Sequence, residues 1–137
     1  MTYAEKLKNP RWQKRRLEIL QRDDWTCSVT GIRDQTLHVH HRLYSKCDPW
    51  EVPDEWLETI CEDVHGIISP FARAMRKQWP SVPTPAETIY RGVMKCMALQ
   101  SQKLGTMSAD EILSKTISLE FVNSVFIECK QFADRAL

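Results

Sequence analysis

Apolar residues recur at helical spacing in several stretches of this chain and clearly alternate with polar ones in only one. Residues 3–21 read as a helix interrupted near Pro10. Leu17, Ile19 and Leu20 supply its apolar contacts, Arg11, Lys14, Arg15 and Glu18 its polar face, and Asp23-Asp24 ends it. Residues 25–35, with Trp25, Cys27, Gly31 and Asp34, are turn-rich. Leu37–His41 alternates as a short strand, which places His38 and His40 on one face and Val39 on the other. Residues 45–55 contain Pro49 and Pro53 and read as loop. Trp56–Ile60 is a second, more weakly signalled strand, and a helix starts near Glu62 and runs towards Gln78.

Beyond Trp79 the pattern changes. Three prolines within 80–85 disfavour helix and predict a stiff, extended linker. Thr84-Pro85-Ala86-Glu87 then reads as a capping box with proline at the first helical position. Ile89, Val93 and Met97, with Tyr90 and Met94, follow at helical spacing, and Gly105 closes that helix. Ser108-Ala109-Asp110-Glu111 is a second capping box. A last helix spans about 118–136, with Val122, Val125, Phe126, Cys129 and Phe132 as its apolar stripe. The chain therefore divides into 1–79 and a helical extension, 84–137.

Composition narrows the class. The 137 residues are 42% hydrophobic, which suits one small core with an extension. Net charge is only +1, yet residues 1–24 hold seven Lys/Arg against four acids, while 48–63 hold seven acids and no Lys or Arg. The basic end suits phosphates, with Arg11, Arg15 and Arg16 as candidate contacts. The acidic stretch suits a cation or a basic partner. The plain alternative is two solvated faces. Five cysteines without a secretory leader imply thiols or metal ligands in a reducing cytoplasm. No stretch approaches the ~18 apolar residues of a membrane span. Trp12, Trp25 and Trp50 read as core or loop anchors, Met94 and Met97 as helix core, and Cys96 and Cys129 as buried thiols.

All four histidines lie between positions 38 and 65. Imidazole suits divalent transition metals. His40 and His65 are the candidate ligands of one metal, with water and substrate oxygens in the open positions of a catalytic site. His41 points away from its neighbour and stays unligated, so it is the candidate general base.

Taken together, YAEKLKNPRWQKRRLEILQRDDWTC, LHVHHRLY and PWEVPDEWLETICEDVH resemble the HNH endonuclease family over residues 3 to about 67. The resemblance implies an α+β protein, mostly helical, with a small ββα-metal core, an N-terminal helix and a C-terminal helical extension. It assigns metal to His40 and His65 and the base to His41. Two departures stand out. The family's two CxxC pairs are reduced to Cys27-Ser-Val-Thr30 and Cys61-Glu-Asp-Val64, and two thiolates do not complete a structural zinc site. No structural zinc is therefore expected; Cys27 and Cys61 are remnants, with Thr30 and Val64 packing where sulfur would sit. The middle asparagine of the motif is replaced by Trp56, whose side chain donates one hydrogen bond and accepts none.

The expected activity is metal-dependent hydrolysis of DNA phosphodiester bonds with Mg, Mn, Ni or Zn. The alternative is a catalytically degenerate HNH-fold protein of a mobile element, acting as an inhibitor or adaptor of another protein. A homodimer formed through 84–137 is a third expectation. His38 matches no family role and reads as structural or as a neighbour of the ligands.

Overall fold

The computed structural model describes residues 1–43, 46–78 and 80–94, together with 127 and 131. The chain is an α+β protein: helices α1 (Tyr3–Lys8) and α2 (Pro10–Arg22), strands β1 (Leu37–His41) and β2 (Leu57–Cys61), helix α3 (Glu62–Gln78), and a further helix, α4, described over 86–94. Short 3-10 turns at Pro49–Glu51 and Asp54–Trp56 occupy the connection between the strands. No helix among the described residues is long and apolar enough to cross a membrane.

The interruption expected near Pro10 is a clean break. The Asn9 side chain accepts from Arg11 N at 2.9 Å, and Pro10 takes the first turn of α2, where its missing N–H costs nothing. Helix α1 is held by a reciprocal cap between Thr2 and Glu5. At the other end of α2, Asp24 and Trp25 both adopt positive φ (52°). That turn leaves Trp25 exposed, so it is not the anchor its composition suggested. Leu17 is also exposed, whereas Trp12, Ile19 and Leu20 are buried. The buried stripe of α2 thus runs through Trp12 rather than Leu17.

The two strands pair antiparallel, with His38 opposite Ile60, His40 opposite Glu58 and His41 opposite Leu57. Their pleat sends alternate side chains to two different layers. On one side Trp12, Ile19, Val52 and Leu57 form a cluster with Leu7, Val39, Trp50 and Trp56 around α2. A second cluster gathers Leu20, Leu37 and Ile60 with Val64, Ile68, Phe71 and Met75 of α3, and with Ala86, Ile89 and Val93 of α4. The extension therefore begins by completing the core of the first half. Met94, expected in that core, is 41% exposed. The expected helix end at Gly105, the capping box at 108–111, Met97, Cys96, Cys129 and the apolar stripe of 118–136 lie outside the described residues. Of that last segment Ile127 and Gln131 are described, both helical and exposed.

Candidate functional site

Cys27 and Cys61 come together first, because they join the hairpin to the turn that follows α2. Cys27 and Cys61 are buried in one cluster with Val64. Cys27 Sγ accepts the Thr30 N–H at 3.5 Å, and Thr30 Oγ1 lies 3.8 Å from Cys61 Sγ. Burial alone would raise the Cys27 thiol. The donors from Thr30, Cys61 and Val29 outweigh it and hold its pKa below the ordinary value. The Thr30 hydroxyl thus lies against Cys61, and Val64 belongs to the same buried cluster as both thiols.

All four histidines line one cavity of about 280 Å³ along β1, together with Tyr3, Leu7, Trp12 and Val39. Three histidines reach it from β1 and one from the first turn of α3. Each is held below the ordinary imidazole pKa, first of all by burial. Mutual proximity adds to the effect: a charge on His38 or His40 disfavours one on His65. At neutral pH these rings are neutral, with lone pairs for a metal or a proton.

His41 is buried, 4% exposed, with its ring stacked on Trp12 at a centroid distance of 4.9 Å. Burial, and then the neighbouring His40, push its pKa down to about 4; a hydrogen bond with the Pro49 backbone opposes them. It also lines a second, adjoining cavity of about 180 Å³ with Tyr3, Lys6, Lys46 and Cys47.

His40 is committed further than the sequence suggested. Its Nε2 lies 2.8 Å from the Thr84 carbonyl. A carbonyl oxygen only accepts, so Nε2 carries the hydrogen and Nδ1 keeps the lone pair. Glu58, buried opposite, has Oε1 4.0 Å from that ring. The same carboxylate takes Arg42 at 3.0 Å, Ser28 at 3.3 Å and the Ala86 N–H at 2.6 Å. Thr84 also donates its N–H and hydroxyl to the Arg42 carbonyl. The start of α4 is thus bound to β1 and β2 through His40, Arg42 and Glu58.

His65 pairs with His38: their rings stack with centroids 4.4 Å apart and planes 15° from parallel. His38 Nε2 is buried and has no hydrogen-bond partner among the described residues. No three His, Cys, Asp or Glu side chains among the described residues stand in ready coordinating geometry.

The candidate phosphate contacts divide. Arg15 bonds the Val52 carbonyl and Asp54, and Arg16 donates to the Leu37 carbonyl at 2.9 Å, so both tie α2 to the hairpin. Arg11 is exposed on α2. Lys6 pairs with Asp48 at 2.6 Å, and the basic and acidic segments neutralise each other in part. Trp56 offers its backbone: Arg42 N donates to the Trp56 carbonyl at 2.8 Å, and the Arg42 guanidinium to the Glu55 carbonyl at 3.1 Å. Arg42 therefore braces the loop behind the two central histidines. Sequence reasoning missed Trp12, Arg42, Glu58 and Thr84 as site residues, along with Arg76, whose charge lowers the pKa of both His40 and His41. Neither Glu58 nor Thr84 carried a signal in the local spacing, because strand register and chain path bring them to His40.

No family model, curated protein or solved structure matches this chain.

Proposed function

We propose that the chain is a metal-dependent phosphodiesterase of the HNH type, built on a ββα-metal core and acting on nucleic acid, DNA above all. The observation that carries this reading is the convergence of four neutral imidazoles on one cavity. Their chemistry fits a divalent ion: neutral nitrogen donors on two separate elements, with room left for oxygen ligands. His65, from α3, and His40, through Nδ1, are the side chains that hold it. When bound, the ion polarises a phosphate oxygen and stabilises the leaving 3′-oxygen.

His41 is the residue that takes the proton from water. Its bond with the Pro49 backbone and its stack on Trp12 fix the ring plane, so the proton acceptor does not need to be ordered during the reaction. A base with pKa about 4 accepts a proton poorly at neutral pH. A phosphodiester anion entering the cavity adds negative charge, which raises that pKa towards a useful value. Arg76 and Lys46 supply cations near the two cavities for the remaining phosphate charge.

The test is plasmid nicking with Mg²⁺, Mn²⁺ or Ni²⁺ by the wild type and by His41→Ala. The variant is expected to lose about 10²–10⁴-fold in rate. Equal cleavage by both refutes His41 as base. One observation favours a second reading: His40 is fastened to Thr84 of the extension, as in a scaffold kept for binding another protein. A co-purifying partner with no cleavage in any metal supports that alternative.

A further inference from the structure

We propose that His38 is a third imidazole ligand of the metal site, joining His40 and His65, and that the site selects a borderline transition ion such as Zn²⁺, Co²⁺ or Ni²⁺ over Mg²⁺. The inference rests on the metal-dependent reading above and assigns its ion and its full ligand set.

Three observations carry it. First, His38 and His40 are two residues apart on β1, so the pleat turns both to the face that α3 covers. His65, in the first turn of α3, lines the same cavity as both. Second, the His38 and His65 rings already lie 4.4 Å apart and nearly parallel. Two imidazoles sharing one tetrahedral ion at 2.0–2.1 Å hold their nitrogens about 3.4 Å apart. Third, His38 Nε2 is buried in the cavity wall with no hydrogen-bond partner among the described residues. A buried polar atom left unsatisfied costs roughly 1–3 kcal/mol. A ligand bond is what an imidazole nitrogen in a histidine-lined cavity is placed to make.

The donor set then decides the ion. Three neutral nitrogens suit borderline metals, whereas Mg²⁺ prefers oxygen and keeps its waters. His40 contributes Nδ1, because its Nε2–H is held by Thr84. That bond orients the His40 ring in the way outer-shell partners orient metal-binding histidines.

The experiment uses the full chain. Zn²⁺ is titrated while the ring nitrogens of all four histidines are followed by ¹⁵N NMR, and Co²⁺ binding is followed by calorimetry and visible absorption. The ring nitrogens of His38, His40 and His65 are expected to shift in one saturable step at one ion per chain, with His41 outside that set. His38→Gln is expected to weaken Co²⁺ binding by more than the roughly 10–100-fold typical of a lost outer-shell partner. It is also expected to change the Co²⁺ absorption band. Shifts at His40 and His65 with His38 unmoved would overturn the third ligand and leave the metal-dependent reading in place. Absence of saturable binding to the wild type overturns both. The NMR arm needs no variant, so the result does not depend on the folding of His38→Gln.

Discussion

The indole of Trp12 lies against the imidazole of His41 at 4.9 Å between centroids, joining the second helix of the chain to the end of its first strand. The contact shields the candidate base from water. Trp12→Ala is expected to destabilise the fold by about 3–5 kcal/mol through lost burial and the cavity left behind. It is also expected to move the His41 pKa up from about 4 towards the ordinary imidazole value. Denaturant unfolding and an NMR titration of His41 check the two effects separately.

Acid sensitivity follows from the same residue. An unfolded chain takes a proton on His41 near pH 6.5, while the folded imidazole refuses it until about 4. The unfolded state therefore binds more protons between these values, and stability falls as pH falls. The contribution is whole above about pH 6.5 and is lost progressively down to about 4, amounting to roughly 3 kcal/mol. The other three histidines shift in the same direction. Melting temperature measured from pH 7.5 to 4.5 should drop steeply for the wild type and less steeply for His41→Gln. Parallel curves would contradict the assignment.

Glu58 holds the extension to the hairpin. Its carboxylate serves Arg42, Ser28 and the Ala86 N–H while nearly fully buried. Glu58→Ala leaves Arg42 and the first N–H of α4 without their acceptor. A loss of about 3–5 kcal/mol is expected. Amide exchange should accelerate most around 84–90, where Thr84 and Ala86 are tied down. Uniform acceleration across the chain would mean that Glu58 stabilises the whole fold rather than this junction.

Thr30 bonds the Cys27 and Cys61 thiols, and Val64 is buried in the same cluster as both. Thr30→Cys combined with Val64→Cys is expected to create a four-thiolate zinc site of one ion per chain. With free zinc at about 100 times the Kd, the double variant gains about 2.7 kcal/mol of stability that chelation removes. The wild type should show no zinc-dependent change in melting that survives His65→Ala. Failure of the double variant to bind zinc would show that the two pairs do not face one another as a CxxC framework.

The order of elements was legible because periodicity is local. The strand Leu37–His41 appears where alternation placed it, the second strand is shifted by one residue to Leu57–Cys61, and α3 runs from Glu62 to Gln78 as its apolar spacing implied. The misreadings arise where a local pattern is ambiguous. Leu17 and Met94 belong to apolar stripes on paper, but the neighbouring helices cover a narrower arc, and both stay exposed. Arg15 and Arg16, read as candidate phosphate contacts, also reach hairpin carbonyls that no local spacing announces.

By itself the sequence determined that one face of a short strand carries His38 and His40, that His41 turns the other way, and that His65 opens the next helix. These relations depend only on the periods of strand and helix. Tertiary structure alone decided which rings meet. The antiparallel register put Glu58 opposite His40. The path of 80–86 brought the Thr84 carbonyl to its Nε2, and the packing of α3 set His65 against His38. Contacts between residues 18 to 44 positions apart follow from how layers close over a shared core, and no local spacing encodes them.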